Sequence, residues 1–282
     1  MTLTRIALSL GVGLLAAMTA VGAGAAPADT QAFSTLPAIY ASFELTATGK
    51  SEFGAAKDAL TDGAHQFTRT AKFEVSLNKA MPDACPLSTM TASSNPALEQ
   101  GGCIGWMATL PDGASAGKVP TTGKVDLSTN PMFVPVEYSI DDLKQFRHRN
   151  TPSDGFATEA TTTKGRGVAY MSRSGMLMCD LKSMTCDMNN VLLNYDNGTD
   201  VVNVTKVSDV PGFETKHETV GPRMLLPQFP DALARQLGGF ALTLPLPFTK
   251  TFSGPAANGD GTVTIKMTVS ANPASKAPAS AH

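Results

Sequence analysis

Period-two alternation dominates this chain. Ile39, Ala41, Phe43, Leu45 and Ala47 alternate with Tyr40, Ser42, Glu44, Thr46 and Thr48, the reading of a strand with one buried face. After an irregular stretch, in which residues 55–60 have the composition of one helical turn, a second long strand follows. Phe67, Ala71, Phe73, Val75 and Leu77 face one way, with Arg69 as the charged exception; Gln66, Thr68, Thr70, Lys72, Glu74, Ser76 and Asn78 face the other. Further strands are predicted over 104–110, around the single tryptophan Trp106, and over 167–172, 199–207, 248–252 and 262–269. Residues 132–140 are extended, but Pro131 and Pro135 suit an edge or irregular strand. Loops are expected over 80–103, 111–123 and 150–165, and a Gly/Asn/Asp turn over 254–261.

Two helices interrupt the pattern. Ser139-Ile140-Asp141-Asp142-Leu143 offers a cap and an acidic first turn, which predicts a short helix through Phe146. Residues 230–238 begin with proline and stop at glycine, as a helix does. The fold class expected is therefore mainly β, an antiparallel sandwich or strongly bent sheet with one or two short helices, in a single domain over residues 37–270.

Residues 175–189 carry an internal check. If Lys182-Ser183 is a turn, Cys179 faces Cys186, and Leu177, Cys179, Leu181, Met184, Cys186 and Met188 share one apolar face. Met176, Met178, Asp180, Thr185, Asp187 and Asn189 fall on the other, mostly polar face. The register that opposes the cysteines also sorts the side chains. Lys-Ser is a poor two-residue turn, and a four-residue loop keeps the same pairing.

The first residues change the picture from fold to address. Arg5 precedes an apolar stretch from Ile6 to Val21, and Ala23-Gly24-Ala25 supplies a small-x-small ending. This is the pattern of a secretory signal peptide, residues 1–25, with cleavage after Ala25. A flexible polar lead, 26–36, and a disordered Ala/Pro/Ser tail, 271–282, flank the domain. The expected location is the periplasm or the cell exterior. In that oxidising setting Cys85, Cys103, Cys179 and Cys186 read as disulfides, and proximity pairs Cys85 with Cys103 and Cys179 with Cys186.

Composition excludes several classes. A formal charge of −2 is too weak to imply nucleic acid as partner. No run after the signal reaches the ~18 apolar residues of a membrane span. Aromatic residues at 6% are too few for the girdles of an outer-membrane barrel.

Candidate chemistry is sparse. Met171, Met176, Met178, Met184 and Met188 beside Cys179 and Cys186 are soft donors suited to Cu(I), but the hairpin places most of these sulfurs on an apolar face, where packing and a disulfide account for them. His65, His148, His217 and His282 show no metal-ligand spacing and read as surface residues. Residues 196–200 and 258–261 resemble fragments of calcium loops without the full ligand pattern, and read first as turns. No Gly-x-Ser-x-Gly elbow is present. No metal and no cofactor is expected. The function expected is that of an exported, non-catalytic envelope or extracellular protein that binds a ligand or partner. The alternative is an exported hydrolase on a β scaffold, with two carboxylates flanking the scissile bond.

Overall fold

The computed structural model describes residues 27–54, 60–81, 103–109, 126–151, 153–189, 191, 193, 195–196, 200–227, 235–256 and 261–274. Within them, helix α1 (Pro27–Ser34) precedes thirteen strands: β1 (Ala38–Phe53), β2 (Thr61–Met81), β3 (Cys103–Met107), β4 (Phe133–His148), β5 (Ala157–Ser172), β6 (Met176–Asp180), β7 (Thr185–Asn189), β8 (Tyr195–Asp196), β9 (Val202–Ser208), β10 (Lys216–Val220), β11 (Phe240–Ala241), β12 (Phe248–Pro255) and β13 (Thr262–Ser270). A 3-10 turn, Pro222–Met224, lies between β10 and β11. All pairings are antiparallel and all strands belong to one sheet.

The sheet forks on β2. One edge of this 21-residue strand pairs with β1 from Asn78 to Gly63. Its other edge is shared: Thr61–Lys72 pairs with β4, while Asn78–Met81 pairs with β3. From β4 the sheet continues through β5 and β9 to β10; from β3 it continues through β6 and β7 to β11. On the opposite flank, β1 leads to β13 and then β12. Arg173 ties the fork, donating from Nη1 to Ser76 Oγ and from Nε to the Pro131 carbonyl, both at 2.9 Å.

Alternation decides which face is buried. Ile39, Ala41, Phe43, Leu45 and Ala47 of β1 are buried, as are Phe67, Ala71, Phe73, Val75 and Leu77 of β2 and Val263, Ile265, Met267 and Val269 of β13. Registers such as Phe43↔Phe73 and Phe43↔Met267 place them on one continuous inner face. Trp106 lies fully buried against Phe33 of α1, ring centroids 4.8 Å apart, and donates its indole N–H to the Leu36 carbonyl.

Several expectations are corrected. Residues 139–146 are strand, not helix: Val134, Val136, Tyr138, Ile140 and Asp142 are buried in strict alternation, and sheet pairing on both sides overrides a local capping signal. Residues 157–165 are strand rather than loop, since all of them pair with β4 and Glu159–Lys164 pair with β9 as well. Residues 27–34, expected as a flexible lead, form α1, because Phe33 has a core site to fill. Pro135 stands on a local edge of β4, as expected, although β4 is an inner strand from Glu137 onward. It sits where β4 has already parted from β2 and pairs only with β5, so its missing N–H breaks no ladder. Of the helix expected over 230–238, only residues 235–238 are described; Arg235 and Gln236 are helical, and Leu237 and Gly238 form a turn and a bend. Residues 1–26, all but Leu60 of the helical turn expected over 55–60, Cys85 and residues 275–282 lie outside the described residues.

Candidate functional site

The predicted hairpin forms in the predicted register. Cys179 faces Cys186, Asp180 faces Thr185, and the two sulfurs are bonded, with Cα atoms 4.1 Å apart. The loop is the four-residue version, Leu181–Met184, with Met184 in the left-handed region at φ 51°. The two faces differ from expectation. Every residue of β6 is buried, including those on the face expected to be polar, and Asp180 and Asp187 are buried with them. Each carboxylate is matched to backbone donors: Asp180 Oδ1 accepts from Lys182 N at 2.7 Å, and Asp187 Oδ1 accepts from Gly239 N. Buried polar groups need such partners, and these acids build turns.

Three depressions bear on the choice of a site. The two larger, about 300 and 530 Å3, lie at the hairpin ends of β1, β2, β4 and β5. No residue lining either is buried, and Asp62 in the first is already held by Arg147 at 2.6 Å. The third, about 190 Å3, opens on the inner face of the sheet. Its walls include the core residues Ala47, Phe67, Val263 and Leu226. The segment 222–227 borders it and leaves the Met224 side chain 80% exposed at the rim.

Arg69, the exception in the apolar row of β2, organises this cleft. Its guanidinium lies 5.0 Å over the Phe67 ring, bonds both oxygens of Asp142 (Nη2–Oδ2 2.5 Å) and donates from Nη1 to the Leu225 carbonyl at 3.2 Å. Asp142 is only 6% exposed, so the pair works in a poorly solvated setting. His65, expected as a surface residue, is half-buried, lines the cleft and packs on Phe67 at 5.2 Å. A second anchor fixes segment 222–227: the Tyr195 hydroxyl donates to the Pro227 carbonyl at 2.8 Å. The chain matches no protein family, no curated protein and no solved structure. What the cleft takes therefore has to be argued from its own side chains.

Sequence patterning gave Arg69 away as an anomaly but not its partner, because Asp142 read as part of a helix. Segment 222–227 carries no sequence signal for its position. The methionine sulfurs considered for copper are buried, and the two cysteines are bonded to each other. The described residues contain no group of three or more His, Cys, Asp or Glu arranged to hold a metal ion.

A second buried polar group lies further along the inner face. Tyr138 is 4% exposed and its hydroxyl makes no hydrogen bond. Gly167 lets the Asp200 carboxylate approach beside it: a Cβ at 167 would strike Asp200 Oδ2, which accepts from Val168 N at 2.6 Å. Burial, and after it the Asp200 charge, raises the Tyr138 phenol above its usual range; burial alone does the same to Tyr195. Above about pH 10 an unfolded tyrosine ionises while these hold their protons, so stability falls as pH rises past that point. Tyr138→Phe is expected to raise stability by about 1 kcal/mol at neutral pH, since an unsatisfied hydroxyl is removed, and to flatten the alkaline loss. Urea unfolding at pH 7 and across pH 9.5–11.5 checks both; a destabilised variant would refute this reading of the hydroxyl.

Proposed function

We propose that this chain is an exported, non-catalytic binding protein of the periplasm or cell exterior, and that it takes a small apolar ligand in the inner-face cleft. The observation that carries the reading is the cleft wall: core residues Ala47, Phe67, Leu226 and Val263 border open space, and an apolar Met224 stands in solvent at the rim. Binding sites are concave and mostly apolar, with a few placed polar groups; Arg69 and His65 supply those here. Export is supported by the pattern of residues 1–25 and by the Cys179–Cys186 disulfide. No helix among the described residues is long and apolar enough to cross a membrane. The carboxylate hydrolase is the weaker reading, since buried Asp142, Asp180 and Asp187 are engaged by Arg69, by turn amides and by Gly239.

The test is titration with the uncharged fluorophore N-phenyl-1-naphthylamine. One saturable site is expected. Ala47→Phe, which fills the cleft, should weaken binding at least about tenfold, equivalent to 1.4 kcal/mol. Met224→Gln, a change at an exposed rim position, should weaken it less. Binding unaffected by either substitution would refute the site.

A further inference from the structure

One row of the inner face carries basic side chains across four strands. Register alone aligns it: His65 of β2 faces Lys144 of β4, Lys144 faces Thr161 of β5, Thr161 faces Lys206 of β9, and Lys206 faces Lys216 of β10. At roughly 4.8 Å per strand, the row spans about 19 Å. Opposed residues of neighbouring strands share a face, and Lys144 shares its face with buried Ile140 and Asp142. The row therefore lies on the same side as the cleft, and His65 belongs to both.

The row differs from the outer face in its ion pairs. Outer-face Lys50, Lys72, Lys164 and Lys266 each lie within 4 Å of a carboxylate, on Glu52, Glu44, Asp141 and Glu44 respectively. On the inner row Lys206 is paired with Glu218 at 3.1 Å, whereas Lys144 and Lys216 have no ion pair among the described residues. Of the other inner-face acids nearby, Asp142 is taken by Arg69, and Glu159 sits one row further toward the sheet end. Like charges directly opposed across strands destabilise a sheet, yet Lys206 faces Lys216. Such a row costs stability in the empty protein and is offset when an anion lies along it.

We infer that the cleft's ligand is an anionic amphiphile: its apolar part enters between Ala47, Phe67 and Leu226, and its negatively charged head, a phosphate or carboxylate, lies at the His65 and Lys144 end of the row, in the positive field that Lys206 and Lys216 extend. This rests on the apolar-cleft reading above and adds the charge of the head. The experiment compares dodecyl phosphate, dodecyl maltoside and inorganic phosphate, each below micelle-forming concentration, by calorimetry on the full mature chain. Dodecyl phosphate is expected to bind about tenfold tighter than the maltoside at low salt, with the advantage shrinking as ionic strength rises. The exposed double substitution Lys144→Gln/Lys216→Gln should remove that advantage and leave maltoside binding unchanged. Equal binding of the two amphiphiles in the native protein would overturn the anionic head while leaving the apolar cleft standing. Inorganic phosphate binding as tightly as dodecyl phosphate would overturn the amphiphile in favour of a free anion. Failure of both amphiphiles to bind would overturn the cleft reading and this inference together.

Discussion

Asp142→Leu should destabilise the protein by about 3 kcal/mol. The carboxylate is 6% exposed and bonds Arg69 through both oxygens, so its removal leaves a guanidinium on the inner face with only the Leu225 carbonyl and the Phe67 ring as company. Breaking such a pair costs far more than replacing it, because the surviving charge loses its counter-ion and regains only the water that the cleft admits. The double substitution Arg69→Met/Asp142→Leu should recover most of the loss. Urea unfolding of the two single variants and the double variant gives the coupling directly. Additive effects would mean that the two residues act separately. The same pair bears on function: Arg69 holds the Leu225 carbonyl, so Arg69→Met should loosen segment 222–227 and raise amide exchange at Leu225 and Leu226.

Trp106→Ala should cost about 4 kcal/mol. This tryptophan is fully buried, contacts Phe33 and bonds the Leu36 carbonyl, so one side chain joins β3 to α1 and to the start of β1. Truncation leaves a cavity and frees that carbonyl at once. Trp106→Phe should retain roughly half the stability, keeping the ring contact and losing the hydrogen bond. Hydrogen exchange should show α1 losing protection before the β1–β2 pairing does. A loss under about 1 kcal/mol in the alanine variant would mean that α1 is not held by this contact.

How much of this was legible in sequence depended on whether local pattern and long-range pairing agreed. In β1 and β2 they agreed, and alternation alone named the buried residues. The 175–189 hairpin was legible because two cysteines and an apolar period demanded one register. Its second face was misread, since nothing local shows that Asp180 and Asp187 will be covered and bonded to backbone amides. Residues 139–146 failed for the opposite reason: a sound capping signal was overridden by pairing with both β2 and β5. The cleft was half legible. Arg69 stood out in an apolar row, but Asp142 lies 73 residues away and Leu225 156 residues away, beyond the reach of local pattern.

The central claim is that a ligand enters at Ala47, Phe67 and Val263 beneath segment 222–227. Methyl-resolved NMR during titration with N-phenyl-1-naphthylamine tests it most directly. Shift changes are expected to concentrate on the methyls of Ala47, Val263, Met224, Leu225 and Leu226 and to saturate together at one equivalent. Changes confined to the hairpin ends around Ala64 and Ala157, with the methyls of these five cleft residues silent, would contradict it.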